Sequence, residues 1–209
     1  MVVAVTGGTG FVGAGVVRAH LSRGDDVRVL TRRELPPALV GARLVRGNLA
    51  HGDVPKEFLS GVHVLYHCAG ELRDERGMHA LHVEGTRRLL ELASGSVGRW
   101  VQLSSVGVYG PRREGTITED TREAPVGPYE RTKAESDTLV RTAGARGALD
   151  AVILRPSIIF GPGMPNQSLF ALLSAVDRGL FVFVGPKGAS ANYVPVENVV
   201  DALLLCATF

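Results

Sequence analysis

The sequence predicts an α/β fold built on a doubly wound parallel sheet, followed by a small C-terminal lobe. Short β-branched runs alternate with longer amphipathic segments, which is the pattern of strand–helix–strand units whose sheet is buried on both faces. A glycine-rich turn from Thr6 to Gly13 also joins the first predicted strand directly to the first helix. The length of 209 residues suits one such domain.

The individual elements follow from apolar periodicity and from the turn residues between them. Strands are predicted at residues 2–6, 27–31, 43–46, 62–67, 99–104 and 150–155. Helices are predicted at residues 11–23, 54–60, 77–94 and 129–146. Right-handed crossovers between these parallel strands give a sheet with helices on both faces.

The character of the chain changes after Pro156. A Gly-Pro-rich loop at 161–165 precedes a predicted helix at 166–179, a short strand at 181–184 and a closing helix at 197–207. We therefore expect two parts, a first domain of residues 1–160 and a partial lobe of residues 161–209 packed on it.

Charge and cysteine content exclude several classes of protein. The 23 basic residues are interspersed with 21 acidic ones for a net charge of +2, so nucleic acid is not an expected partner. Only two cysteines occur, in apolar surroundings, which indicates a reducing compartment and predicts a cytoplasmic protein. No apolar run approaches the roughly 20 residues that a membrane helix needs, so no membrane association is expected.

The histidines do not predict a metal site. His63 and His67 are four residues apart on one strand and would lie about 13 Å from each other. His79 and His82 share a helix face, but the sequence offers no third or fourth ligand beside them. We expect no bound metal.

The turn after the first strand predicts a phosphate-binding site. Its glycines let the chain turn tightly, let backbone amides approach a pyrophosphate and let the helix pack close to the sheet, as in Rossmann dinucleotide-binding domains. The helix N-terminus then presents amides and a positive dipole end to the anion. The expected cofactor-binding residues here are Gly7, Thr9, Gly10, Phe11, Val12 and Gly13.

The end of the second strand bears on which dinucleotide is bound. An NAD site usually places Asp or Glu there, whereas this strand runs into Arg32 and Arg33. A guanidinium can hold a 2′-phosphate with paired hydrogen bonds, so NADP is favoured over NAD. The alternative is that both arginines are solvated loop residues, and Glu34 lies close to them.

Three residues predict proton-transfer chemistry. Tyr129 and Lys133 are four apart in a predicted helix and share one face. The neighbouring cation, together with the positive nicotinamide of an oxidised cofactor, could therefore lower the pKa of the phenol. Such a pair also arises by chance on surface helices. A second signal is a strand that ends in Ser104 and Ser105, at the sheet edge where ligands bind; the alternative is that these hydroxyls only cap the strand. A serine hydroxyl there could polarise a substrate oxygen while Tyr129 acts as acid or base.

Taken together, these segments resemble the extended short-chain dehydrogenase/reductase family, in particular its nucleotide-sugar epimerase and dehydratase branch. The resemblance runs from Val2 to about Leu204. Besides the motifs above it includes Tyr66-His67-Cys68-Ala69-Gly70, Val83-Glu84-Gly85-Thr86, Leu154-Arg155-Pro156, Gly161-Pro162-Gly163 and Tyr193-Val194-Pro195-Val196.

The resemblance implies roles for individual positions. It makes Ser105, Tyr129 and Lys133 the catalytic serine, tyrosine and lysine, with Lys133 also holding the nicotinamide ribose. Further implied cofactor contacts are Asn48, Leu49, Ala69, Gly70 and Pro156, and the implied substrate contacts are Ser104, Ser105, Tyr129 and Asn166. The family commonly dimerises through the helices predicted at 77–94 and 129–146, so a homodimer is expected.

The chain departs from the family pattern at several points. Asn48 stands where an Asp is usual, and His82 stands where a helix Asn is usual, so His82 either packs, which we favour, or replaces a proton relay. Val106 and Gly107 occupy the places of the acidic pair of dehydratases, which disfavours dehydration. The basic residue expected before Tyr193 is missing, and the chain is about a hundred residues shorter than family members, so the substrate lobe is expected to be truncated.

The resemblance therefore implies an NAD(P)-dependent oxidoreductase or epimerase that transfers hydride at a carbinol carbon, with a nucleotide-activated sugar as the expected substrate. One alternative is an NADPH-dependent keto-reductase of a small non-sugar ketone. Another is a non-catalytic NAD(P)-binding redox sensor or assembly subunit, although such a protein would not need Tyr129 and Lys133.

Overall fold

The computed structural model describes residues 1–112, 114–165, 168–182 and 191–208. Its main sheet has six parallel strands in the order β3-β2-β1-β4-β5-β6, which confirms the predicted doubly wound sheet. The strands are β1 (Val2–Thr6), β2 (Asp26–Thr31), β3 (Arg43–Arg46), β4 (Val62–His67), β5 (Val97–Leu103) and β6 (Ala151–Leu154).

The helices cover both faces of this sheet. They are α1 (Gly13–Ser22), α2 (Glu75–Met78), α3 (Gly85–Ala93), α4 (Pro128–Ala145), α5 (Ser168–Asp177) and α6 (Val196–Cys206). A π-helical segment, His79–Glu84, joins α2 to α3. The helix predicted at 54–60 is wrong: only a 3₁₀ turn forms, at Lys56–Phe58, because it begins after extended Pro55 and Gly61 leaves it with a φ of +65°.

The C-terminal segment contains two strands that the sequence analysis missed. β7 (Ile158–Phe160) and β8 (Tyr193–Pro195) pair in parallel as a separate two-stranded sheet. Residues 181 and 182 do not form the predicted strand, and residues 183 and 184 lie outside the described part of the chain.

The last helix belongs to the core of the main domain. Val199 and Leu203 of α6 are buried in the same cluster as Val3 and Val5 of β1 and Val16 of α1. By contrast, α5 exposes much of its apolar surface, at Phe170, Leu172, Leu173 and Val176.

Alternate residues of the central strand serve two hydrophobic layers. Val3 and Val5 face the cluster that contains α1 and α6, whereas Ala4 faces a second cluster with Leu65, Trp100 and other buried side chains. A parallel sheet covered on both faces requires such a division. None of the helices in the described ranges is both long enough and apolar enough to cross a membrane.

Buried polar side chains link the sheet to α3 and α4, and we call this set the hydroxyl chain: Thr6, His67, Thr86, Ser136 and Gln102. Thr6 Oγ1 donates to His67 Nδ1 at 2.6 Å, and His67 Nε2 donates to Thr86 Oγ1 at 2.9 Å. Gln102 donates to Ser136 at 2.9 Å, Ser136 donates to Thr86 at 3.0 Å, and Thr86 donates to the carbonyl of His82 at 2.5 Å. Every donor has an acceptor only if His67 is neutral, and burial lowers the pKa of His67 to about 3.

Candidate active site

The glycine turn brings the start of α1 against the end of β4. Gly7 has a φ of +66°, and a Cβ atom there would lie 2.6 Å from the carbonyl oxygen of Cys68. At Gly13 a Cβ atom would lie 2.9 Å from the carbonyl carbon of Gly7. The amide of Gly10 donates to the carbonyl of Gly7 at 2.9 Å and closes the turn. The backbone therefore lies open at the N-terminus of α1, the arrangement that suits a pyrophosphate.

Two cavities meet at this turn, because Gly7, Gly10, Ala69 and Gly70 line both of them. We call the cavity of about 620 Å³ the cofactor cavity, and the predicted residues lining it are Thr9, Arg32, Arg33, Asn48 and Leu49. We call the cavity of about 510 Å³ the catalytic cavity, and the predicted residues lining it are Phe11, Val12, Gly13, Ser104, Ser105, Tyr129, Lys133 and Pro156. The structure thus brings together all the predicted site residues that it describes, and Asn166 lies outside the described residues.

The acidic residue that directly follows the two arginines, Glu34, is already paired. Glu34 forms an ion pair with Arg46, which ends β3, whereas exposed Arg32 and Arg33 line the cavity at the end of β2. Asn48 Oδ1 accepts from the amide of Ala50 at 3.2 Å, so this side chain orders its own loop. His51, which bonds to Asn48 at 3.1 Å, also lines the cavity and was missed by the sequence analysis.

Lys133 is buried and attached to the sheet. Its Nζ donates to the carbonyl of Leu103, the last residue of β5, at 2.5 Å. Burial lowers the pKa of the ammonium group, and the carboxylate of Asp137 opposes this shift. Lys133 thus places a positive charge at the carboxyl edge of β5.

The pKa of Tyr129 in this structure shifts in the direction opposite to the one that Lys133 alone would give. Burial of the phenol, with smaller contributions from Glu130 and Asp137, raises the pKa of Tyr129 to about 12. Desolvation disfavours the charged phenolate, and the two carboxylates act in the same direction. Tyr129 therefore carries its proton at neutral pH.

The two serines at the end of β5 have different partners. Ser105 Oγ accepts from the amide of Gly107 at 3.1 Å and caps the short 3₁₀ helix Val106–Tyr109, which leaves its hydroxyl hydrogen for a second partner. Ser104 is buried and donates to Asp137 Oδ2 at 2.7 Å. The hydroxyl of Ser104 is thus engaged with a carboxylate instead of a substrate, and the expected hydroxyl contact with substrate depends on Ser105.

A buried ion pair supports this edge, and the sequence analysis missed it. Asp137 is 0% exposed and accepts from Arg155 Nε at 2.9 Å. Arg155 also donates to Glu123 at 2.5 Å and to the hydroxyl of Tyr109 at 2.8 Å. The sequence feature that could have identified Asp137 is its spacing, because it lies one helical turn after Lys133 on the same face of α4.

His82 is buried beside Tyr129, and burial lowers its pKa to about 3, with the charge of Lys133 as a second cause. The ring is therefore neutral at neutral pH. Lys133 is the only charged side chain among the described residues that line the catalytic cavity. The remaining side chains there include apolar ones from Phe11, Leu72, Leu103, Ile158, Ile159 and Met164.

The sheet order, the glycine turn and the crevice between β1 and β4 define a Rossmann-type domain. The chain belongs to the NAD dependent epimerase/dehydratase family, which matches residues 3–209 and confirms the family resemblance.

Among its relatives, the chain is 36% identical over 220 residues to sterol demethylase protein B of Methylococcus capsulatus, covering 98% of this chain and 65% of that protein. It is 31% identical over 214 residues to a ketoreductase of Stigmatella aurantiaca that acts on 4-hydroxy-2-methyl-3-oxo-4-farnesyl-3,4-dihydroquinoline-1-oxide, covering 97% of this chain and 63% of that protein. The chain thus spans somewhat less than two thirds of the length of these relatives.

A solved structure of MoeE5 in complex with UDP-glucuronic acid and NAD superposes with a TM-score of 0.84 at 30% identity, covering 100% of this chain and 73% of that chain. The likeness confirms the Rossmann fold.

Proposed function

We propose that this protein transfers hydride between a nicotinamide dinucleotide and a carbinol carbon. The observation that carries the proposal is that Ser105, Tyr129 and Lys133 line the same cavity as the glycine turn. These three residues come from two separate segments of the chain and meet at the ligand-binding edge of the sheet. A tyrosine and a lysine that were four residues apart only by chance on a surface helix would not be expected to meet a serine there.

Each residue has a role that its contacts support. The glycine turn and the first amides of α1 hold the pyrophosphate. Lys133, at the carboxyl edge of β5, donates to a ribose hydroxyl. A bound nicotinamide supplies or accepts the hydride. Ser105 donates its hydroxyl hydrogen to the substrate oxygen, and Tyr129 transfers a proton at its phenolic oxygen. Because burial raises the pKa of Tyr129 to about 12, the phenol carries a proton that it can donate to a ketone oxygen.

Removing the phenolic oxygen tests this mechanism. Tyr129→Phe should lower kcat at least about 100-fold, because it removes the acid, while changing the Kd of the cofactor by less than about twofold. Tyr193→Phe, a hydroxyl deletion in β8 outside the catalytic cavity, is the matched control and should leave both values unchanged. Turnover that survives Tyr129→Phe shows the mechanism to be wrong.

For the cofactor we propose NADP in preference to NAD. Arg32 and Arg33 border the cofactor cavity, and the carboxylate of Glu34 is paired with Arg46, so two guanidinium groups are available to a 2′-phosphate. Replacing both arginines with alanine should weaken NADPH binding about 10- to 100-fold and leave NADH binding nearly unchanged. Arg18→Ala, an exposed arginine of α1 that lines neither cavity, is the control; equal losses for both cofactors would contradict the preference.

For the substrate we propose a nucleotide-activated sugar, supported by the likeness to the complex of MoeE5 with UDP-glucuronic acid. A small non-sugar ketone is the second candidate, favoured by the apolar side chains of the catalytic cavity and by the ketoreductase relative. Incubation with NADPH and NADH against UDP-sugars, dTDP-sugars and apolar ketones, followed by nicotinamide absorbance and product analysis, separates the two. Tight cofactor binding without any turnover would instead favour a redox sensor or assembly subunit.

We also propose that the protein forms a homodimer through α3 and α4. The outward side chains of these helices include exposed Arg87, Glu91, Arg131 and Glu135. An interface made from such charges is screened by salt, so sedimentation should show a dimer that dissociates more readily at high ionic strength. A monomer at all salt concentrations would refute the proposal.

A further inference from the structure

His82 is the buried residue whose contacts the proposed mechanism leaves unused. It lies in the π-helical segment and its side chain is 1% exposed. Its Nε2 accepts from the backbone amide of Glu71 at 2.8 Å, and its Nδ1 lies 2.8 Å from Thr132 Oγ1. Because an amide can only donate, the hydrogen of a neutral ring must be on Nδ1, where it is donated to Thr132.

One of these bonds holds the first turn of α4. Thr132 lies between Tyr129 and Lys133, and its hydroxyl is 3.0 Å from the carbonyl oxygens of Pro128 and Tyr129. The imidazole also packs edge-on against the ring of Tyr129, with the centroids 5.6 Å apart. His82 therefore contacts the ring of the proposed acid and a hydroxyl in the same helical turn.

The other bond holds a segment shared by the two cavities, which we call the 71–74 turn. The carboxylate of Glu71 accepts from the amides of Leu72, Arg73 and Asp74 at 2.9, 2.8 and 3.2 Å, so these residues form one unit. Leu72 lines the catalytic cavity, and Glu71 and Asp74 line the cofactor cavity. The bond from Glu71 to His82 therefore fixes a wall of both cavities.

We propose that His82 is a positioning residue, whose neutral imidazole ties the 71–74 turn to the turn of α4 that carries Tyr129. The effect on turnover rests on the proposed function, since it requires Tyr129 to act on a substrate. Hydride and proton transfer are sensitive to errors in position of about 1 Å. The end of the link at α4 should therefore affect kcat, and the end at the 71–74 turn should affect KM and the Kd of the cofactor.

Two substitutions with amide side chains each remove one of the two hydrogen bonds of His82. The amide of asparagine reaches the position of Nδ1, so His82→Asn keeps the bond to Thr132 and loses the bond to Glu71. The amide of glutamine reaches the position of Nε2, so His82→Gln keeps the bond to Glu71 and loses the bond to Thr132. His82→Leu loses both bonds while filling much of the volume, and His79→Asn, on an exposed histidine of the same segment, is the matched control.

The proposal predicts that the two amide variants differ. His82→Gln should lower kcat about tenfold with little change in KM or in the Kd of the cofactor, because only the turn of α4 is released. His82→Asn should raise KM and the cofactor Kd, and it should speed hydrogen exchange at the Glu71 amide about fivefold or more, since one hydrogen bond of about 1 kcal/mol is lost. His79→Asn should resemble the wild type in every measurement.

Hydrogen exchange and the ¹⁵N shifts of the histidine rings decide the question without turnover. If the wild type turns over none of the substrates, the proposed function fails, yet slow exchange at Glu71 and an Nδ1–H tautomer at His82 still support the link. A role in packing alone would lower the melting temperatures of the variants and leave kcat, KM and Glu71 exchange unchanged in the folded protein. That result, in His82→Gln and His82→Asn together, would overturn the proposal.

Discussion

The close approach of the glycine turn to β4 makes Gly7→Ala a sharp test of the fold around the cofactor cavity. A left-handed conformation costs alanine about 1–2 kcal/mol. The Cβ atom must also move from 2.6 Å to the 3.4 Å at which ordinary contact with the Cys68 carbonyl begins, so β4 and the turn must separate by about 0.8 Å. Forcing extra volume into a packed site costs about 1–3 kcal/mol, so the total loss of stability should be about 2–5 kcal/mol.

Gly147→Ala separates these two contributions. Gly147 has a φ of +69°, and nothing lies within 4 Å of the position of its Cβ atom, so this variant should lose only the conformational part, about 1–2 kcal/mol. Urea denaturation gives the difference in unfolding free energy, and titration with NADPH gives the Kd. We expect Gly7→Ala to be the less stable variant and to bind NADPH more weakly, with Gly147→Ala binding as the wild type does. Equal stabilities and equal affinities would refute the steric reasoning.

Two further predictions concern buried ionisable groups. Asp137→Ala leaves the charge of Arg155 with one fewer partner and should lower the free energy of unfolding, measured in urea, by about 3 kcal/mol. Glu135→Ala, at an exposed position of the same helix, should change it by less than about 0.5 kcal/mol. Similar values for both variants would contradict the role of the ion pair. His67 and His82 have folded pKa values of about 3, below the unfolded value of 6.5, so the stability that they contribute is present above pH 6.5 and is lost as the pH falls toward 3. Each should contribute a loss of about 1 kcal/mol per pH unit below 6.5, and His82→Gln should show a smaller drop between pH 7 and pH 5 than the wild type; unchanged urea midpoints would rule out neutral buried rings.

The main sheet could be predicted because its strands are short, β-branched and separated by clear turns, as at Val2–Thr6 and Val62–His67. The three-residue strands β7 and β8 could not, since three residues carry no measurable periodicity and their pairing depends on distant parts of the chain. The helix predicted at 54–60 failed for a related reason: its apolar residue Phe58 is buried, but the segment between Pro55 and Gly61 is too short for more than one turn.

The site was predictable where a motif fixes local geometry and unpredictable where burial decides the chemistry. Spacing alone placed Tyr129 and Lys133 on one helix face, and the structure brings them to the cavity of the glycine turn. The sign of the pKa shift of Tyr129 could not be predicted, because it depends on how deeply the phenol is buried and on the carboxylate of Asp137. Likewise, the hydroxyl of Ser104 is recognised as a structural group only when its carboxylate partner is located.

The hydroxyl chain also constrains how the domain can be assembled. Its members belong to β1, β4, β5, α3 and α4, and each donates its hydrogen in a fixed direction, so the set is satisfied only when all five elements are docked. If β4 slipped by one residue, His67 would turn to the opposite face of the sheet and its partners would lose their hydrogen bonds. Each buried polar group left unpaired would cost about 1–3 kcal/mol of stability. Compact states with a shifted strand register are therefore higher in energy than they would be if the interior were entirely apolar. This widens the energy gap between the native state and its competitors, which makes the native strand pairing unique.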